Sequence, residues 1–154
     1  MTLSQQIANQ IREVLLNGTW VATNYKVQLS DVSWQQATTK VADLNTIADI
    51  TFHIDYYLAG LIQVFKGGAL DIRDKYSFDA PSITYQQEWD KRRQKLFNDA
   101  ETFAQLVEHM DETTLMGPFV VPKYGNKYIS IQATIEHSYY HLGQIVQIKK
   151  LLKD

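Results

Sequence analysis

The stretch TIEHSYYHLGQI, residues 134–145, decides how this chain folds. Read as a helix, each residue advances about 100°, so His141 lies about 40° from His137, and Gln144 about 20° to the other side of His137. Ile145, Ile148 and Leu152 fall within the same arc. The two histidines therefore sit on an apolar stripe, and a helix with such a stripe must bury it against neighbouring helices. The chain has only 4 histidines in 154 residues, so two of them one turn apart on an inward face need a reason. Neutral imidazoles buried side by side need partners, because an unpaired buried polar group costs on the order of 1–3 kcal/mol. A bound metal ion satisfies both at once, and His at i and i+4 is a ligand spacing on one helix. For either histidine alone, the plainer reading is a hydrogen-bonded core residue.

Two ligands make a poor site, and His53 is the candidate third. It lies midway along DITFHIDYYLAGL, on an arc shared with Ile50, Tyr57, Gly60, Leu61 and Val64. Two helices of a bundle, each turning histidine inward, can build a three-His cluster between them. The fourth histidine, His109 in EHMDE, sits near a helix C-terminus and reads as a surface residue favoured by the helix dipole. The chain has no cysteine, which excludes disulfides and thiolate ligands, so any transition-metal site must use histidine and carboxylates.

Outward from the histidines, helical periodicity covers three further segments. Leu3, Ile7, Ile11, Val14 and Leu15 form one stripe, which Ala22, Tyr25 and Leu29 extend into a single long helix to about residue 29. SDVSWQQATTKVADLN is a connection. A second helix runs from about Asn45 to Phe65 and stops at Gly67–Gly68. The polar ALDIRDKYSFDAPS that follows is long for a compact domain and suits a crossover between non-adjacent helices. A third helix starts near Thr84, with Thr84 and Gln87 as a capping box, carries Trp89, Leu96, Phe97, Ala100, Phe103, Ala104, Val107 and Met110 as its buried stripe, and ends before Gly117–Pro118. FVVPKYGNKYISI reads as a small β-hairpin turning at Gly125–Asn126, with Pro122 on an edge strand. Ser130 then caps the last helix, which reaches about Leu152. The expected fold is all-α: one domain over residues 1–154, a four-helix bundle with one long crossover loop and a small hairpin before the last helix.

Charge and hydropathy narrow the function classes. A net charge of −2 and a pI near 6.1 give no footprint for nucleic acid. The basic cluster KRRQK, residues 91–95, reads as a solvated helix face balanced by the preceding EWD. The N-terminus has neither a basic region nor a continuous apolar core of a signal peptide, and YYLAGLIQVF has only about half the length that spans a bilayer. The expectation is a soluble cytoplasmic protein without a membrane or nucleic-acid partner. Trp34 and Trp89 look exposed and would suit an interface.

HSYYHLGQI resembles the last-helix signature of the DinB/YfiT-like superfamily: a His, three residues, a second His, then Leu-Gly-Gln-Ile. FHIDYY matches the family's second-helix His, and WDKRRQKLFND with DETTLMGPFVVPKYGNKYISIQATIEH resembles its third helix and the passage into the fourth. The resemblance implies an up-down-down-up bundle, a divalent metal (nickel, zinc, iron or manganese) on His53, His137 and His141, and a homodimer. It also implies a small-molecule substrate, with thiols among the candidates, since characterised relatives include thiol-dependent transferases and an isomerase, alongside proteins described as metal-dependent hydrolases.

Three neutral ligands leave an ion's charge uncompensated and positions open. Such an ion lowers the pKa of a bound water to about 7 and holds a bound thiol as thiolate. The first suits a hydrolase and the second a thiol S-transferase. A hydrolase also needs a general base. The candidates near the histidines are Asp49, one turn before His53, Tyr57, and Gln144 as an orienting or substrate-binding group. Each has a plain structural reading: a helix-start acid, a core aromatic and a packed amide. No compelling base emerges, which favours thiol transfer. A third possibility is a dimeric scaffold that binds metal or a small ligand without turning it over. A deep pocket beside the metal would separate an enzyme from a closed, fully ligated site.

Overall fold

The computed structural model describes residues 1–18 and 20–153. They form seven α-helices: α1 Leu3–Arg12, α2 Tyr25–Ser30, α3 Trp34–Thr38, α4 Ile47–Phe65, α5 Gln86–Glu108, α6 Glu112–Met116 and α7 Lys127–Leu152. The all-α expectation holds, with no strand among the described residues. The long helices share one apolar core. Ile7, Ile11, Leu58, Leu96, Phe103 and Ile145 are all essentially inaccessible to solvent. Helix α5 lies against both α1 and α4, and α7 against α4. No described helix is long and apolar enough to cross a membrane.

The expected long first helix is broken. After Arg12 the chain widens into a π-turn, Glu13–Asn17, closed by Gly18 N–H donating to the Glu13 carbonyl at 3.1 Å. A Cβ at Gly18 would lie 2.4 Å from Glu13 Cα, so only glycine closes this turn. The chain is extended at Gly18 and left-handed at Ala22, and it re-enters helix at α2 under an Asn24 cap. Thr19, inside the expected helix, lies outside the described residues. Tyr25 and Leu29 keep the buried positions the stripe gave them, but on a separate helix. The break has a use: the buried Tyr25 hydroxyl donates to the Ser138 carbonyl at 2.8 Å and pins α7 at the level of the histidines.

Other boundaries also move. Thr46, with Asp49 three residues on, forms the capping box of α4. Thr84 does not cap α5. Tyr85 occupies that position, while the Thr84 N–H donates to Glu88 Oε2 at 2.7 Å. α5 stops at Glu108, leaving His109 exposed at its C-cap, and α6 is a separate helix capped by Asp111. The hairpin is replaced by a single bridge, Pro118 with Asn126, enclosing a 3₁₀ turn at Pro122–Tyr124. Pro122 donates nothing to a ladder, and Gly125 turns the chain at φ +76°, so no strand pair grows from the bridge. Asn126, not Ser130, caps α7 by accepting from the Ile129 N–H.

Trp89 is fully buried, with its indole N–H on the Val32 carbonyl at 2.7 Å, so it is a core residue and not an interface one; Trp34 is half-buried against the same core. The basic cluster is not simply solvated either. Arg92 donates to the Ala48 and Pro81 carbonyls, and Arg93 to the Leu29 carbonyl. These residues tie α2, α4 and the crossover loop to α5.

Candidate metal centre

Helices α4 and α7 bring the three inward histidines together. His53 comes from α4, His137 and His141 from α7, and their ligand atoms cluster closely enough to hold a metal ion. His53 and His141 are buried and His137 is half-buried. His137 Nε2 lies 3.0 Å from His53 Nε2 and 3.0 Å from His141 Nε2.

The outer nitrogens set the tautomers. His53 Nδ1 lies 3.1 Å from the Ser77 carbonyl, which can only accept, so Nδ1 carries the proton. His141 Nδ1 lies 2.6 Å from Gln144 Oε1 and donates to it. Both Nε2 atoms therefore present lone pairs to the cluster. His137 has at most one Nε2 proton in its neutral form and cannot satisfy both neighbours. At least one pair of facing lone pairs stays uncompensated, and a cation between the three nitrogens relieves it. All three rings stay neutral, as metal ligands must. Burial is the first cause of each lowered pKa, and His137, with two other imidazoles beside it, falls to about 4. Two ligand atoms 3.0 Å apart subtend about 90° at an ion with bonds of about 2.1 Å, against about 110° in a tetrahedral site. That spacing leaves room for further ligands.

Aromatic rings wall the cluster. Phe78 stacks on His53 at 3.9 Å between centroids, nearly parallel. Tyr57 presents its edge to His53 and His137 at 5.1 and 5.3 Å, and Tyr140 does so to His141 at 4.9 Å. The Tyr57 hydroxyl donates to Asp74 Oδ1 at 2.9 Å, and burial and this acid keep the phenol protonated. Asp49 is engaged elsewhere: its carboxylate accepts from the Thr46 N–H in the α4 cap. Gln144 contacts the cluster directly through His141, as does Tyr57 through its ring.

The sequence reading missed Asp74, Ser77 and Phe78. All three come from the crossover loop, which carries a 3₁₀ turn at Asp74–Tyr76 and folds back over α4. Tyr56 helps hold it there, donating to the Arg73 carbonyl and accepting from its N–H. The available signal was the aromatic pair in DKYSFD, which a purely solvated loop has no reason to carry.

A cavity of about 700 Å³ opens beside His137, lined by Tyr57, Leu61, Ile72, Asp74 and Phe119 among others. Its size is that of a small-molecule site. Comparison with protein-family models, curated proteins and solved structures finds no match to this chain.

Proposed function

We propose that this chain is a metal-dependent enzyme of the DinB/YfiT-like superfamily that transfers a low-molecular-weight thiol to an electrophilic substrate. In this reading α1, α4, α5 and α7 form an up-down-down-up bundle, two copies make a homodimer, and His53, His137 and His141 hold one divalent ion. The observation that carries it is the convergence of three Nε2 atoms that one proton on His137 cannot fully satisfy, beside an open cavity. A scaffold that only stores metal has no need of that cavity, and the motif HSYYHLGQI adds the family likeness. A divalent ion supplies Lewis acidity there, holding a thiol as thiolate at neutral pH. The sulfur forms a bond to the electrophilic carbon, the leaving group departs with its electron pair, and the thiol proton passes to water. Gln144 and the Ser77 carbonyl fix the imidazole tautomers. Tyr57 offers its oxygen lone pairs to a substrate while its O–H donates to Asp74.

A second reading, a hydrolase, is favoured by Asp74. This carboxylate lines the cavity with His137 and is the proton acceptor that sequence inspection did not find. The first test is metal content by mass spectrometry on untagged protein, wild type beside His137→Ala. About one ion per chain, lost in the variant, is expected. A wild type that takes up none of zinc, nickel or manganese overturns the proposal. With metal established, consumption of a small thiol by an aryl halide, against release of a nitrophenol from an ester, separates transferase from hydrolase.

A further inference from the structure

The cavity has two chemically different ends. Along α7 its wall is Ile129, Ser130, Ala133, Thr134 and His137, a stripe repeating at four-residue steps. Eight residues of helix separate Ile129 from His137, which is about 12 Å of rise. The His137 end carries Asp74, with Tyr57 on its carboxylate. The far end is bordered by the 3₁₀ turn Pro122–Tyr124, where Lys123 and Tyr124 line the cavity. Lys123 is the one cation in the lining. Its ammonium sits 4.8 Å from the Tyr124 ring centroid and forms no ion pair among the described residues. Apart from Ser130 and Thr134, the remaining walls are mainly apolar, with Leu61, Leu70, Ile72 and Phe119 among them.

We infer that this cavity takes an elongated, mainly apolar molecule bearing one anionic head group, its head at Lys123 and its reactive end at the histidines. The inference names the substrate class for the site proposed above and rests on that reading for the orientation alone. Charge sets the direction. In the metal-free protein Asp74 repels an anion from the histidine end, while Lys123 attracts one at the other. Apolar walls over about 12 Å favour an alkyl or aryl body that excludes water. A short polar substrate would leave those walls wet.

Binding is measured by calorimetry on metal-free full-length protein with decanoate, decanol and decyltrimethylammonium of matched chain length. Decanoate is expected to bind tightest. Lys123→Ala weakens it about fivefold, the scale of one exposed ion pair, with decanol unchanged. Lys123→Glu reverses the preference toward the cation. Ala133→Phe, which fills the cavity from an exposed position on α7, abolishes binding of all three without touching the core. Equal affinity for the three probes, or decanoate binding indifferent to Lys123→Glu, overturns the head-group assignment. No binding by any probe overturns the cavity's role. Zinc uptake measured on the same samples keeps the two ideas apart: metal without decanoate defeats only this inference, and decanoate without metal defeats only the metal site.

Discussion

Replacing Gln144 by leucine tests whether the cluster is built for an ion or merely packed. Gln144 Oε1 accepts the His141 Nδ1 proton at 2.6 Å and so forces the lone pair onto Nε2, toward His137. Leucine fills similar space but accepts nothing. His141 is then free to carry its proton on Nε2, where it donates to His137. That tautomer relieves the metal-free cluster and blocks the ligand position. The two states therefore respond differently. Metal-free stability changes by less than about 1 kcal/mol, because the lost hydrogen bond is offset by the new one. Metal affinity falls about 10- to 100-fold, the usual effect of removing a partner that orients a ligand histidine. Gln144→Glu keeps an acceptor, makes it anionic, and retains or raises affinity. The assay is zinc competition against a chromophoric chelator at pH 7.5, with thermal melts of the metal-free proteins beside it. An affinity within twofold of wild type in Gln144→Leu, together with a large fall in metal-free stability, would refute the tautomer reasoning and leave Gln144 a packing residue.

Two further perturbations probe the frame around the site. Asp55 is buried between α4 and α5; its Oδ2 accepts from Lys95 at 2.6 Å and its Oδ1 has no partner. Burial, then Asp99 beside it, pushes this acid up to about 7. A raised folded pKa stabilises only the protonated form. Its contribution is complete below the unfolded value of about 3.9 and is lost as pH rises toward 7. Asp55→Asn is expected to be more stable than wild type at pH 8, with an advantage over that at pH 5 on the order of 2 kcal/mol. Urea titrations at the two pH values measure it, and a pH-independent difference defeats the account. At Gly60, a Cβ would come within 2.3 Å of Ile72 Cγ1, so the helix and the crossover loop touch through the missing side chain. Gly60→Ala gains about 1 kcal/mol of helix propensity yet pushes Ile72 off. Faster hydrogen exchange across residues 70–78 is the expected result, and unchanged exchange with a higher melting temperature would show that the contact is soft.

What the sequence revealed followed from periodicity. Apolar residues at three- and four-residue steps put His53, His137 and His141 on inward arcs, and the structure brings those three rings into contact. Tyr57 and Gln144 were legible for the same reason, because helical spacing fixes which side chains share a face. The failures occur where spacing carries no information. The stripe from Leu3 to Leu29 continues in the right phase across a break, since buried positions on two short helices can mimic one long one. Gly18 was the warning, and its meaning depends on a contact with Glu13 that periodicity cannot register. The FVVPKYGNKY segment has strand-prone residues and a turn, but a ladder needs donors, and Pro122 removes one where the pair would have grown. Trp89 falls on the apolar stripe of the third helix, and that periodicity holds in the core; only its charged neighbours made it look exposed, and its indole partner is the Val32 carbonyl, distant in sequence.

The crossover loop explains why a cluster legible from two helices is still only half the site. α4 and α7 supply the three imidazoles, but nothing on those helices dictates the His53 tautomer. That comes from the Ser77 carbonyl, a main-chain group with no sequence signature at all. The same loop lays Phe78 flat on His53 and places Asp74 on Tyr57. Its hold on α4 depends on three contacts: Tyr56 with the Arg73 backbone, Tyr57 with Asp74, and Gly60 with Ile72. These fall at positions 56, 57 and 60, within about two turns of α4 after His53, so one stretch of helix presents a ligand and secures the loop that orients it. Loss of the loop's register would let His53 rotate even with every imidazole present. The length that marked this segment as a mere connection is what allows it to reach back over the ligand.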